Sequence, residues 1–334
     1  EQAFPKDFAV LYRTNAQSRS LEEDLRKQNI PYKIYGGLSF YQRKEIKDIL
    51  AYCRLTINPN DEEALKRVIN YPTRGIGNTT LQKLIVTANS EKISIWDVLN
   101  NLDGHNHNIN NGSCKKLDEF TTLIKSFISQ KDNIDAYGLT EHIAKTSGVF
   151  HDLYNDKSPE GVSRFENIQE LLNGLKDFCE NTEESLLANY MQDVALLTNQ
   201  DNEKTEDFNK VTLMTVHAAK GLEFPYVFVV GLEQNLFPSM MAGDSQENLE
   251  EERRLFYVAI TRAEKRLFLS HTTNRFKWGQ YVDCEPSRFL HELDEKYITK
   301  TEASIKKPKN FKKQNYLNKY NKTKKEENKP TVPK

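Results

Sequence analysis

The chain has 334 residues, about two domains' worth, with 37% hydrophobic and 28% charged residues and a formal net charge of −1. That balance excludes a histone-like or polybasic protein, and no run of about 20 apolar residues exists to make a membrane-spanning helix. Cys53, Cys114, Cys179 and Cys284 form no C-x-x-C pair, which excludes zinc-ribbon and redox motifs and leaves reduced thiols of a cytosolic protein.

The average charge conceals a split. From Lys306 to the last residue, eleven lysines face only Glu326 and Glu327, whereas residues 1–305 carry a net charge of −10. A polyanion partner of this acidic body must be held by local basic and backbone sites, not by an overall field. The start, Glu1-Gln-Ala-Phe-Pro5, has no initiator Met and no signal-peptide pattern, and reads as a cut into a longer protein.

In chain order, Phe8-Ala-Val-Leu-Tyr-Arg13 is an apolar run expected to form a buried strand. A helix through Leu21 and Leu25 should follow, starting near Ser18 or Ser20. Tyr32-Lys-Ile-Tyr35 is a second strand, ended by Gly36-Gly37. The period then turns helical: Ile46, Ile49, Leu50, Cys53 and Ile57; Leu117, Phe120, Ile124, Phe127 and Ile128; Phe165, Ile168, Leu171, Leu172 and Leu175; Leu187, Tyr190, Met191, Val194 and Leu197. Residues 38–207 therefore read as an all-helical body with an Asn-rich linker at 100–112. Strand runs return at Val211-Thr-Leu-Met-Thr-Val216 and Tyr226-Val-Phe-Val-Val230; the second is apolar throughout, as in parallel sheets buried on both faces. A helix from about residue 247 to 262, a strand at Leu267-Phe-Leu-Ser270 and a short helix opened by Pro286 complete the pattern. The Lys/Asn-rich tail 301–334 has no apolar period and is expected to be disordered. Short, unknotted connections favour one α/β domain, residues 1–37 and 208–300, interrupted by an inserted helical domain at 38–207.

No G-x-x-x-x-G-K-[ST] loop occurs, and no Asp-Glu pair follows an apolar strand, so the chain holds no complete NTP-hydrolysis site. No metal-ligand spacing stands out either; His105 and His107 read as solvated loop residues.

Three stretches are more specific. Val211 to Phe224 ends a strand in a turn carrying Thr215, His217, Lys220, Gly221 and Glu223, at the carboxyl end where α/β sheets bind ligands. An ordinary polar loop is the competing reading. In Glu250-Glu-Glu-Arg-Arg-Leu-Phe-Tyr-Val-Ala-Ile-Thr-Arg262, Leu255, Val258 and Ala259 share a helix face, and Arg262 ends their stripe. Either that Arg points into a cleft or it soothes the helix dipole and pairs with Glu264. In Arg74-Gly-Ile-Gly-Asn-Thr-Thr80, a tight turn opens a helix whose N–H groups and hydroxyls can cradle a phosphate, or simply cap the helix.

These stretches, with Ala9-Val-Leu-Tyr-Arg-Thr-Asn-Ala-Gln-Ser-Arg19 and Gly36-Gly-Leu-Ser-Phe-Tyr-Gln-Arg-Lys-Glu-Ile-Lys-Asp48, resemble the C-terminal half of a UvrD/PcrA/Rep-type superfamily 1 DNA helicase. The resemblance runs from about residue 8 to 293; stretches 100–160 and 199–208 and the tail do not match. It implies a second RecA-like domain split by a helical arm, with ATP and Mg2+ held against a first RecA-like domain that is absent here along with its metal ligands. It implies that Arg262 is the catalytic arginine finger, that Glu223 contacts the nucleotide ribose, and that Gly221 shapes that loop. It places His217 and Lys220 near single-stranded DNA phosphates and Arg13, Asn15 and Arg19 on the DNA side. Trp278 takes the place of an aromatic that packs on a base. Gly75, Ile76 and Gly77 with Thr79 and Thr80 resemble a duplex-phosphate contact.

The function implied is an ATP-dependent 3′–5′ DNA helicase of DNA repair or replication restart, inactive as this piece alone. Expected partners are single-stranded DNA, the junction with duplex, the missing first domain, and repair or transcription proteins, in a bacterial, nucleoid-associated cytoplasmic setting. Two other readings stand beside it: a non-catalytic DNA-binding or protein-interaction module derived from such a helicase, and a helicase–nuclease relative.

Overall fold

The computed structural model describes residues 3–200, 208–240, 245–277 and 280–301, without the side chains of 199, 200 and 277. The expected disordered tail, Thr301 apart, and Trp278 lie outside these residues.

Five short strands, β1 (Phe8–Tyr12), β2 (Tyr32–Ile34), β3 (Val211–Thr215), β4 (Phe224–Val229) and β5 (Ala263–Leu269), form one sheet in the order β2-β3-β1-β4-β5. Every pair is parallel: Val10 lies opposite Leu213 on one side and Phe228 on the other. β3 therefore inserts between β1 and β2, so the early and late parts of the chain complete a single α/β sheet. The period of two sends Tyr12, Val211 and Leu213 to one face, where Leu21 and Leu25 of α1 (Ser18–Lys27) cover them. Ala9, Leu11, Val227 and Val229 are fully buried in register with one another, and the later helix α11 (Gln246–Ile260) packs on β4.

Between β2 and β3 the described chain forms nine α-helices: α2 (Lys44–Ile57), α3 (Glu62–Val68), α4 (Asn78–Glu91), α5 (Ile95–Asn100), α6 (Asn111–Ile128), α7 (Ala136–Thr146), α8 (Val149–Asn155), α9 (Pro159–Asn181) and α10 (Leu187–Gln200). Their starts are written in the sequence. Asp61, Ser94, Asn110, Asp135 and Ser158 each accept a first-turn backbone N–H, satisfying donors that a helix leaves unpaired. The Asn-rich linker thus supplies the cap of α6. These helices share one core, in which Leu117, Phe120, Ile124 and Phe127 of α6 are almost fully buried, each worth roughly 1.5–3 kcal/mol.

The unit Glu1–Glu292 holds both the sheet and the helices; Leu293–Lys334 is a separate unit, whose described part contains a single 3-10 turn at Glu295–Tyr297. The expected short helix after Pro286 is a 3-10 turn, Arg288–Glu292. An antiparallel hairpin, β6 (Asn274–Lys277) and β7 (Gln280–Asp283), was not expected.

Where sheet and helices meet, the contact is polar and buried. Arg43 donates to the Asn15 carbonyl (2.9 Å), Ser18 Oγ (2.7 Å) and Asn167 Oδ1 (2.8 Å), and Asn167 Nδ2 donates to Glu45 (2.6 Å). Both oxygens of Glu22 accept the Phe40 N–H, at 3.1 and 3.3 Å. Burial pushes the Glu22 carboxyl from an ordinary 4.5 up to about 7. Its folded pKa exceeds its unfolded one. Its contribution to stability is therefore complete below about pH 4.5 and is lost as pH rises towards 7, by about 3 kcal/mol in all. Glu22→Gln should flatten that decline; denaturant unfolding at pH values across the window measures it, and an unchanged slope would assign the decline to other groups.

Candidate active site

The C-terminal edge of the sheet gathers polar side chains. Beyond β1, Gln17 Oε1 accepts the Arg13 and Thr14 N–H groups at 2.9 Å and folds the chain sharply into α1. Arg13, Asn15, Thr215 and His217 line a cleft of about 670 Å³, closed on its far side by Ser163 and Glu166 of α9 and by Ser239. Desolvation first, and the nearby Arg13 charge second, hold the imidazole of His217, itself exposed at the cleft, below its ordinary pKa. Lys220 is exposed and ends the 3-10 turn His217–Ala219.

Arg13 does not project freely into the cleft. Its Nε lies 3.0 Å from both Glu252 oxygens and its Nη2 2.5 Å from one of them. Glu252, on α11, is 5% exposed and also accepts the Ser239 N–H at 3.2 Å.

The opposite, N-terminal edge carries a second group. Gly221 turns with φ +84°, a conformation that favours glycine; a Cβ there would meet nothing within 4 Å, so the requirement is one of backbone strain alone. Glu223 beside it is exposed. Arg262, just past α11, donates from Nη1 to the Leu222 carbonyl between them (2.9 Å), from Nε to the Val258 carbonyl (3.0 Å) and from Nη2 to Thr261 Oγ1 (3.0 Å). The Arg262 carbonyl in turn accepts the Phe224 N–H at the start of β4. Gly221, Glu223 and Arg262 are thus brought together, away from Arg13, Asn15 and His217. α11 runs towards both edges, with Glu252 near its middle and Arg262 beyond its end. Its buried stripe is Glu252, Phe256 and Ala259, one position removed from the expected Leu255 stripe.

Arg19, expected on the DNA side, is 4% exposed and points into the protein. Its guanidinium is taken up by Glu23 and Glu170 at 2.8 Å and by Asp177 at 3.6 Å. Buried behind these carboxylates, it cannot reach a phosphate. Gly174 of α9 clears the space, since a Cβ there would lie 2.6 Å from Arg19 Nη1.

Far along the chain, the Gly75 turn (φ +72°) is anchored by buried Ile76, and Asn70 Oδ1 accepts the Arg74 and Ile76 N–H groups at 3.0 Å. Gly77 begins α4 with no side-chain cap bond; Thr79 is exposed and Thr80 half-buried in its first turn. Lys116 of α6 donates to the Gly75 carbonyl at 3.2 Å. Among the described residues, no three His, Cys, Asp or Glu side chains cluster as a metal site.

Residues 1–274 match the UvrD-like helicase C-terminal domain. The chain belongs to that family. The match takes in all five strands of the sheet and the helices between β2 and β3. Over 301 residues this UvrD-like chain is 42% identical to the ATP-dependent DNA helicase PcrA of Staphylococcus aureus, covering 88% of the chain and 40% of that protein. PcrA of Staphylococcus epidermidis is also 42% identical, over 297 residues, 86% of the chain and 40% of the relative. The chain therefore spans 40% of the length of these relatives.

Glu252, Ser239, Ser163 and Glu166 were not singled out from sequence. Glu252 alone left a signal there: it lies four residues before Phe256 and seven before Ala259, on the stripe of α11 that turns inward.

Proposed function

We propose that this chain is the C-terminal motor half of an ATP-dependent 3′–5′ DNA helicase, with a RecA-like domain at 1–37 and 208–300 and a helical arm at 38–207. The observation that carries this reading is the docking of Arg262 on the Gly221–Glu223 turn while a separate polar cleft opens at the other edge of the same sheet. A motor needs both: a place for nucleotide and a place for the strand, joined by rigid elements.

Bound between this domain and a first RecA-like domain, Mg2+–ATP supplies the phosphoryl transfer. An exposed carboxylate and an anchored guanidinium beside a glycine turn fit one side of such a site; the metal ligands belong to the other domain. Arg262 holds its free N–H groups towards the γ-phosphate oxygens, where charge develops. Glu223 accepts from the ribose, and Gly221 keeps the turn open for it. At the other edge, Asn15, His217 and Lys220 meet strand phosphates; Trp278, outside the described residues, is assigned the stacking of a base without selecting sequence. The uncapped start of α4 at Gly77, with Thr79 and Thr80, presents N–H and hydroxyl donors to duplex phosphates. Arg19 supports the cleft by holding α1 to α9. The cellular task is repair or replication restart on bacterial DNA, alongside repair or transcription proteins.

The test is strand displacement by the complete protein. A duplex with a 3′ tail should be unwound with ATP, a 5′-tailed one should not, and the present chain alone should show no DNA-stimulated ATP hydrolysis. A 5′ preference, or turnover by this chain alone, would overturn the reading.

A further inference from the structure

Among the described residues lining the cleft, Arg13 is the one permanent cation, and Glu166 carries the opposite charge. Desolvation and the Arg13 charge hold the His217 imidazole below its ordinary pKa. The one strong phosphate-binding group is thus already engaged, because Glu252 occupies its fork from both carboxylate oxygens. Carboxylate and phosphate bind a guanidinium with the same paired geometry, so they compete for it. Glu252 is 5% exposed and fixed from behind by the Ser239 N–H, so it holds its place without help from solvent.

We infer that Glu252 is a gating carboxylate: a phosphate group entering the cleft displaces it from Arg13, and the exchange is conveyed along α11 to Arg262. The placement supports this directly. Glu252 lies in the second turn of α11 and Arg262 two residues beyond its end. The helix is a rigid bar between them, about 15 Å over ten residues. At its far end Arg262 grips the Leu222 carbonyl, so a shift of α11 moves the guanidinium against the Gly221–Glu223 turn. The phosphate is that of a DNA strand, since the function proposed above holds the nucleotide at the opposite edge, beside Arg262. The inference rests on the function proposed above.

Glu252→Gln in the complete protein tests it. The variant keeps the shape and an acceptor for Ser239 but cannot neutralise Arg13. Binding of a thymidine oligonucleotide and of a non-hydrolysable ATP analogue should be titrated separately at several salt concentrations. Affinity for the oligonucleotide should tighten by roughly 5- to 150-fold, the range of a typical coupling, with a salt slope steeper by about one, and Arg13→Ala/Glu252→Gln should lose the gain. A gain on the analogue alone would overturn the gate as a DNA device. DNA stimulation of ATP turnover should fall, since the gate already stands open. Glu252→Asp, with its carboxylate drawn back by one carbon, should show a smaller gain of the same sign, and a cooperative melt certifies the fold of each variant. Unchanged affinity for both probes in folded protein, while Arg262→Ala still abolishes turnover, would overturn the gate and leave the motor reading intact. Loss of no turnover in Arg262→Ala would instead remove the reading on which the gate depends.

Discussion

Replacing Arg262 by Ala in the complete protein should lower kcat for ATP hydrolysis by about 10³–10⁵, the worth of an arginine finger, while nucleotide and single-stranded DNA still bind. The geometry explains why so much rests on one side chain. A guanidinium has five N–H donors in a rigid fork. Three are committed to the Val258 carbonyl, the Leu222 carbonyl and Thr261 Oγ1. Among the described residues these bonds leave one N–H on each terminal nitrogen, the pair that suits two phosphate oxygens. Anchoring on carbonyls leaves the positive charge without a carboxylate counter-ion among the described residues, ready for charge that develops only in the transition state. Arg262→Lys should fail nearly as badly, because one ammonium cannot hold the Leu222 turn and reach outward together. Ground-state affinity should change little, since the function proposed above assigns the phosphate loop to another domain. Steady-state turnover measured beside nucleotide titration decides the matter. A kcat within a few-fold of wild type would reduce Arg262 to a cap on the end of α11.

The strands of the sheet were legible where apolar side chains run without interruption. Phe8 to Arg13 and Tyr226 to Val230 read as strands and supply β1 and most of β4, but Tyr226 and Phe228 are only half-buried, so β4 is not covered on both faces as expected. The order in which they pair was not legible, because nothing local says that β3 lies between β1 and β2. The hairpin β6–β7 escaped for a related reason: its exposed residues show no apolar alternation to betray it. Charged positions divide in the same way. Arg262 was expected to end the Leu255 stripe, whereas the buried stripe of α11 is Glu252, Phe256 and Ala259, and Arg262 reaches the Leu222 carbonyl. Arg19 was expected on the DNA side from its motif, and the carboxylates that bury it, Glu170 and Asp177, come about 150 residues later. Glu252 is one of three consecutive glutamates, and only its phase on α11 separates it from its exposed neighbours. Helical and strand periods report which face turns inward, not what waits there.

Arg19→Ala should destabilise the protein by about 3–5 kcal/mol, the usual loss when one partner of a buried ion pair is removed. Burial works against the charged guanidinium, yet Glu170 and Glu23 outweigh it and hold its pKa above the ordinary value. Removing it leaves Glu23 and Glu170, each largely buried, facing one another without a cation. It also opens the space that Gly174 clears in α9. Glu23 belongs to α1 and Glu170 to α9, so the loss falls on the contact between sheet and helices. The denaturant midpoint should drop with the slope unchanged, the mark of lost stability and not of a new unfolded state. Arg19→Lys should recover part of the loss, since an ammonium keeps the charge but cannot span three carboxylates. Single-stranded DNA binding, measured below the unfolding transition, should keep its salt slope, because no phosphate contact has been removed. A variant that melts like wild type but loses about one unit of that slope would return Arg19 to the DNA side and undo the clamp between α1 and α9.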